Sequence, residues 1–210
     1  MKRLPLLVLA LLTLAMIPTD LHAQIMLGVV GGGARSAPLI KNQAGGKEIV
    51  DGEEGYQFGA VAAFGMPAGF TLEVTPKYIQ KGFRTGVSDL NGGFDLAYIE
   101  APIYGAWHHG LGGGPAALRI LAGGSLAYEV SCDSEIAVGG GAPSTQACAD
   151  GSTNKFDAGL FAGLGMAVSF LTIDFTYDFG LVNINKDATG PSVKNRVWGL
   201  TVSARFAVGG

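Results

Sequence analysis

Charge of either sign is scarce in this sequence. With 14 Lys and Arg and 17 Asp and Glu among 210 residues, the chain has few ionised groups for a surface that meets water on all sides, and its mild acidity argues against a nucleic-acid partner. Cysteine is almost missing, with Cys132 and Cys148 alone. A thiolate metal site would need further ligands, and the nearby Asp133, Glu135 and Asp150 offer oxygen donors that pair poorly with thiolates. The triple-glycine runs at 31–33, 112–114 and 139–141 lack the Lys-Ser/Thr of a phosphate loop, and no Ser, His and Asp stand at the spacing of a hydrolytic triad. His108 and His109 are adjacent, so on a strand they face opposite sides and at most one could serve a single site. Beside Trp107 and a glycine turn they read as rim residues at a membrane interface. No catalytic residue, cofactor or metal is expected.

Long apolar runs are missing too, once the first residues are set aside. Met1-Lys2-Arg3 is a short basic start, 4–17 is an apolar core, and Leu21-His22-Ala23 precedes Gln24 as a small-residue cleavage site, the three parts of an export signal. No cysteine stands near that junction to carry a lipid anchor. The expected organisation is therefore a signal peptide over 1–23 and one domain over 24–210. Without Lys2, Arg3 and Asp20 the mature chain keeps 12 basic and 16 acidic residues, a net charge near −4. A membrane-crossing helix needs about 20 mostly apolar residues. The segment 158–173 comes closest, and Gly159 with Gly163 has the spacing of a helix-dimerisation motif. Asp157 and Asp174 clip it short, and it reads as two alternating strands meeting at a tight turn near Val168 and Ser169.

What is abundant is glycine, at 34 residues roughly twice the share usual in globular proteins, and strict two-residue alternation. In 171–181, Leu171, Ile173, Phe175, Tyr177, Phe179 and Leu181 fall on one face of an extended strand, and Thr172, Asp174, Thr176, Asp178 and Gly180 on the other. The same period places Tyr56, Phe58 and Phe64 opposite Gln57 and Gly59, and Phe70, Leu72 and Tyr78 opposite Glu73 and Lys77. It sets Leu118, Ile120 and Tyr128 against Arg119 and Glu129, Leu160 and Leu164 against Asp157 and Gly163, and Trp198, Leu200 and Phe206 against Ser203 and Arg205. A glycine-rich first strand near 25–34 and a fourth near 94–108 bring the expected count to eight. An even count suits closure into a barrel.

Connection lengths alternate as well. Residues 36–53, 84–93, 131–155 and 183–195 read as long polar loops, whereas 66–69, 110–115 and the turn after Val168 are short. In an antiparallel meander, long and short connections then lie at opposite ends, the asymmetry of membrane barrels. The choice of inside follows from crowding. Pointed inward, the rings of Phe58, Phe64, Phe175, Tyr177, Phe179, Trp198 and Phe206 would overfill the lumen that eight strands leave, and the outer wall would be mostly Gly, Thr and Ser. Pointed outward, they form a lipid-facing belt. The expected fold is all-β, an eight-stranded antiparallel up-and-down transmembrane β-barrel; a soluble ligand-carrying barrel is the alternative.

The lumen of that barrel would hold Glu73, Lys77, Glu100, Arg119, Glu129, Asp157, Asp174, Asp178 and Arg205. A lone buried ion is costly to desolvate, so mutual pairing is expected, for instance Glu73 or Glu100 with Arg119 and Lys77. Two readings of these charges stand side by side: an ion-pair core that closes the lumen and fixes strand register, or a narrow gated polar path.

Tyr78-Ile79-Gln80-Lys81-Gly82, followed by Leu96-Ala97-Tyr98-Ile99-Glu100-Ala101-Pro102-Ile103, resembles the paired strand motifs of the PorT-like outer-membrane β-barrel proteins, close to Y-x-Q-K-G and L-x-Y-L-E-I-P-L. With the export signal and the glycine-rich first strand, the resemblance spans nearly all of the mature chain. Ala101 replaces a larger aliphatic, and Phe206 is followed by 207–210 instead of closing the chain, a departure from the aromatic-ended last strand that the barrel-insertion machinery reads. The resemblance implies an eight-stranded barrel in the outer membrane of a didermic bacterium, in contact with outer-membrane lipid and with that machinery during assembly. It implies no shared activity.

Any specific function then belongs to the loops. With an export signal in place, Cys132 and Cys148 are expected to form a disulfide closing a loop of about 15 residues, worth about 3 kcal/mol in the chain-entropy model. Loops 36–53 and 131–155 are the expected contact surface for an external ligand or another envelope protein. The function expected first is a structural or surface-interaction barrel; a small pore or the membrane part of a secretion assembly is the alternative, and a lipid-modifying enzyme trails both.

Overall fold

The computed structural model describes residues 24–41, 45–49, 52–87, 90–138, 144–149, 153–186 and 190–208. The expected signal peptide lies outside them. The described residues form β1 (Ile25–Ser36), β2 (Leu39–Lys41), β3 (Lys47–Ile49), β4 (Glu53–Gly65), β5 (Phe70–Val74), β6 (Lys77–Val87) and β7 (Leu90–Gly110). They continue with β8 (Ala116–Val138), β9 (Ser144–Ala147), β10 (Phe156–Val168), β11 (Leu171–Gly180), β12 (Ser192–Lys194) and β13 (Arg196–Val208). A single 3-10 turn, Pro67–Gly69, separates β4 from β5.

The wall is an eight-stranded antiparallel up-and-down barrel, with β5 and β6 acting as one strand. It closes because β1 pairs along its whole length with both β4 and β13, from Ile25 opposite Phe64 and Val208 to Ser36 opposite Glu53 and Val197. Closure leaves no unpaired edge inside lipid. The break between β5 and β6 falls at Pro76, which has no N–H to give to a ladder. Its carbonyl still accepts from Ala60 at 3.0 Å, and Thr75 donates to Pro102 at 3.0 Å, so the wall stays sealed. At 158–173, where a short helix was the weaker alternative, β10 and β11 form a hairpin instead. Its turn puts Ser169 at φ 56°, the sign that tight hairpin turns demand because it matches the twist of the strands.

Which face is inside is decided by exposure. Phe206 is 59 % exposed and Leu200 55 %, whereas Arg119 is 0 % and Glu100 1 %. Charged side chains are in the lumen and rings are outside, so the apolar belt meets lipid. The expected belt residues Phe58, Phe64, Phe175, Phe179, Trp198 and Phe206 are exposed and Tyr177 is half-buried, with Tyr177 and Trp198 in ring contact at 4.1 Å. The inner wall also carries rings of its own, since Tyr98, Tyr104 and Phe161 point in and are buried.

The two ends of the barrel differ. At the turn end the connections are Pro67–Gly69, a stretch from Leu111 to Pro115, and Ser169 with Phe170. At the loop end several strands continue past the wall, and here the loop expectations need correction. Residues 84–93, expected as a polar loop, are the paired ends of β6 and β7 as far as Val87 opposite Leu90. Phe83 and Phe94 sit opposite each other with rings stacked at 5.3 Å, an aromatic cross-strand pair that favours the ladder. Likewise the described part of 131–155 is largely strand: β8 runs on to Val138 and pairs with β7 and with β9. The loop at 36–53 contains β2 and β3, which form a three-stranded sheet with β12. A crossing takes about 9–11 residues, so β7 with 21 and β8 with 23 project well beyond it.

Candidate functional site

The lumen holds two separate clusters of charge. Nearer the turn end, Glu73 of β5, Arg119 of β8, Asp174 of β11 and Arg205 of β13 form a quartet. Arg119 is bidentate twice: Nη2 donates to Glu73 Oε1 at 2.7 Å and Oε2 at 2.9 Å, and Nη1 to Asp174 Oδ2 at 2.8 Å and Oδ1 at 3.1 Å. Arg205 Nη1 donates to Glu73 Oε1 at 2.7 Å, and its Nη2 lies 3.7 Å from Asp174 Oδ2. Thr71 Oγ1 adds a third donor to Glu73 Oε1 at 2.9 Å, and Ser203 Oγ accepts from Arg205 Nε at 3.0 Å. Two cations balance two carboxylates. Guanidinium forks suit this role because one planar group can grip two carboxylates at once. The quartet ties together four strands that are not all neighbours in the wall.

Glycine makes the geometry possible at one place in particular. Gly165 stands directly opposite Asp174 across the β10–β11 ladder, and a side chain there would occupy the space of the Asp174 carboxylate. The bare backbone lets the carboxylate lie across the wall toward Arg119.

Nearer the loop end, Lys77 and Lys81 of β6 both pair with Glu100 of β7, Lys77 Nζ at 3.2 Å from Oε1. Lys81 also lies 4.0 Å from Asp157 and over the Tyr98 ring at 4.9 Å. The other partners are neutral. Lys77 donates to Gln57 Oε1 at 2.8 Å, Ser125 donates to Asp178, Asn195 Nδ2 donates to Asp157 Oδ2 at 2.7 Å, and Thr153 Oγ1 donates to Glu129 Oε1 at 2.8 Å. Here two lysines face four carboxylates: Glu100, Glu129, Asp157 and Asp178. Between the clusters, Tyr104, Ala106, Leu121 and Phe161 form an apolar layer, and the gap left beside it is a cavity of about 20 Å³, room for about one water molecule.

Above the second cluster the mouth is covered. Ile184 and Val193, from the connection between β11 and β13, are buried against Ile79, Leu96, Tyr98 and Val197 of the wall. Ile184 N donates to Val193 O at 2.9 Å, Asn154 N donates to Ile184 O at 2.8 Å, and Val193 stands opposite Ile40 in the β2–β12 ladder. Beyond the wall, Arg84 donates to Glu53 at 2.6 Å and to Glu135, and lies 3.9 Å from Asp95. Partial burial, with the Glu53 carboxylate beside it, raises the Asp95 carboxyl to about 6.

Every sequence-predicted lumen residue faces inward. The expected partners Glu73 with Arg119 and Glu100 with Lys77 are in contact. Lys81 and Asn195 were not anticipated in the lumen, although Lys81 follows Lys77 and Ile79 at the same parity and could have been found from it; Gln57 is on the inward face as its parity predicts, and its bond with Lys77 was not anticipated. Cys132 and Cys148 are joined by a disulfide, but Cys132 is on β8 and not in a loop. The bridge clamps β9 onto β8, where Cys148 N also donates to Cys132 O at 2.9 Å. Among the described residues no group of three or more His, Cys, Asp or Glu converges as a metal site; Asp150 lies outside them. His108 Nε2 lies 3.2 Å from Thr71 Oγ1 in the lumen, and His109 packs on Trp107, so the two imidazoles are on opposite faces.

Three solved barrels are similar to this chain. Ail, the attachment invasion locus protein of Yersinia pestis, solved with the heparin analogue sucrose octasulfate, is 15 % identical over 87 % of this chain and 99 % of its own, with a TM-score of 0.44. Neisserial surface protein A is 14 % identical over 87 % of this chain and 97 % of its own, TM-score 0.47. The outer membrane protein OprG of Pseudomonas aeruginosa is 12 % identical over 89 % and 97 %, TM-score 0.48. No curated protein sequence matches the chain. The sequence profile described as outer membrane protein beta-barrel domain matches residues 20–186, from the stretch before β1 to beyond the end of β11. By that match, which covers most of the chain, and by its closed eight-stranded wall, the chain belongs to the outer membrane protein beta-barrel domain family.

Proposed function

We propose that this protein is a closed outer-membrane barrel with a structural or surface-interaction role, carried by the strand extensions and loops at its extracellular end, and that it is not an enzyme. The observation that carries this reading is the quartet of Glu73, Arg119, Asp174 and Arg205. It reaches from four wall strands across the lumen with contacts of 2.7–3.1 Å, below an apolar layer and a covered mouth. A solute path through it would require breaking several desolvated, charge-assisted hydrogen bonds together. The elaborated structure, by contrast, is all at the loop end, which in outer-membrane barrels faces outward from the cell. Export by a cleaved signal peptide over 1–23 and the finer kinship with the PorT-like proteins belong to the same proposal. So do its partners: outer-membrane lipid, the insertion machinery, and a ligand or envelope protein at 36–53 and 131–155.

Conductance of the purified protein in planar bilayers tests it. The expected record is a bilayer without stable steps while the unheated protein runs as a compact, heat-modifiable band on a gel. Large stable steps from such folded protein would return the small pore, or the membrane part of a secretion assembly, to first place. A changed lipid A profile on overexpression would do the same for a lipid-modifying enzyme.

A further inference from the structure

We propose that the extracellular end carries a binding site for a small, neutral, apolar molecule of about two-ring size. It lies in the cleft between the projecting β6–β7 ladder and the β2–β12 sheet. Phe83, Phe94 and Leu96 form one wall and Ile40, Ile184 and Val193 the other, around a cavity of about 290 Å³. An apolar cavity of roughly 150 Å³ takes benzene, so this one admits a fused pair of rings.

The chemistry of the lining selects the ligand. Among the described residues no charged side chain lines the cleft, although Arg84, Glu53 and Glu135 are grouped close by on the same extension. A second cavity near them, of about 350 Å³, is lined by Glu53, Glu54, Asp95, Asp133 and Lys81, so the separation of apolar from ionic surface is local and sharp. Polar groups at the edge of the apolar cleft are already engaged: Thr153 Oγ1 donates to Glu129 at 2.8 Å and Asn185 Nδ2 to the Pro191 carbonyl at 2.9 Å. An ionic ligand would lose its hydration here and gain no charged partner among the described residues. A flat apolar one would meet the stacked Phe83 and Phe94 rings and release water from both walls.

The cleft is also held in shape before anything enters. Phe83 bridges to Gly52, Thr153 bridges to Asn185, Val193 N donates to Asn183 Oδ1 at 2.8 Å, and Val193 and Ile40 are ladder partners. Its floor is continuous with the buried cluster of Leu96, Ile184 and Val193 that covers the lumen. The site deepens the surface-interaction reading and rests on it only for the outward orientation of the loops.

Naphthalene is the probe, titrated into the refolded, methyl-labelled protein in lipid nanodiscs. Methyl resonances of Ile40, Leu96, Ile184 and Val193 are expected to shift and saturate, while the lipid-facing methyls of Leu200 and Val202 follow only the naphthalene dissolved in the bilayer. Val193→Trp, which fills the cleft, should weaken the saturable shift at least tenfold while the heat-modifiable band persists; Ile40→Trp replaces it if that band is lost. Shifts that fail to saturate, that are equal at the two sets of methyls, or that survive the filling variant overturn the site. A folded, non-conducting barrel without saturable shifts would remove the site and leave the closed-barrel role intact. Conductance together with saturable shifts would do the reverse.

Discussion

The two charge clusters share one lumen and are built on different principles. The cluster at the turn end is a neutral quartet in which every carboxylate is gripped by guanidinium, and its members come from β5, β8, β11 and β13. The cluster at the loop end has two lysines for four carboxylates, and Asp178, Asp157 and Glu129 take hydrogen bonds from Ser125, Asn195 and Thr153. A balanced, bidentate set is rigid and interdependent, because removing any member strands a desolvated charge of the opposite sign. An acid-rich set padded with neutral donors already contains surplus negative charge, so losing a carboxylate there relieves repulsion as well as removing a bond. The same lumen therefore has a staple at one end and a tolerant polar filling at the other.

Arg119→Met is the harshest way to break the comparison. It leaves Glu73 and Asp174 facing Arg205 alone in a site where Arg119 and Glu73 are fully buried. Breaking a buried pair by removing one partner costs about 3–5 kcal/mol, and the loss should appear as a lower urea midpoint in lipid vesicles, followed by the fluorescence of Trp107 and Trp198. A loss below about 1 kcal/mol, the scale of an exposed pair, would mean that the quartet is not a staple.

A cleaner contrast uses one strand and one substitution. Asp174 and Asp178 are four residues apart on the inward face of β11, 6 % and 8 % exposed. Asp174→Asn removes the charge that Arg119 grips and should cost about 2–4 kcal/mol, somewhat below the full loss of a buried pair since Arg119 keeps Glu73. Asp178→Asn keeps an acceptor for Ser125 and lowers the local excess of negative charge, so its effect should stay within about 1 kcal/mol, the scale of one hydrogen bond. Equal losses in the same vesicle assay would erase the distinction between the two ends.

That contrast also marks what the sequence makes legible. The inward parity of Asp174 and Asp178 can be read from 171–181 alone, because a period of two has only two phases and the rings claim one of them. Their different partners cannot. Arg119 lies 55 residues from Asp174, and Arg205 lies 132 from Glu73; these side chains meet only through the tilt and stagger of a closed wall. Lys81 shares the inward parity of Lys77 and is buried with it, so its place in the lumen is legible in the same way. The polar stretch 84–93 has few apolar residues to show a strand, since its ladder is held beyond the membrane by the Phe83–Phe94 pair and by cross-strand bonds. The disulfide could be expected from export and from the two cysteines, but not its effect, which is to hold β9 against β8.

The smallest expected effect lies outside the lumen and sharpens the comparison from a third position. On the projecting ladder Arg84 faces Glu53, Asp95 and Glu135, an acid-rich group like the one at the loop end of the lumen but open to water. Partial burial and the adjacent Glu53 raise the Asp95 carboxyl to about 6, so the folded ladder holds that proton more tightly than the unfolded chain, whose aspartate titrates at about 3.9. Linkage gives the sign: the contribution of Asp95 is fully present below about pH 4 and is lost as pH rises through about 6. Amide protection along 91–97, corrected for intrinsic exchange, should therefore weaken modestly between pH 4 and pH 7. In Asp95→Asn, which cannot ionise, that slope should flatten while the protection of β11 amides in the wall is unchanged. A slope that is the same in both proteins would show that Arg84 compensates its three acids as fully as Arg119 compensates its two, and that excess acidity is not what separates the tolerant clusters from the staple.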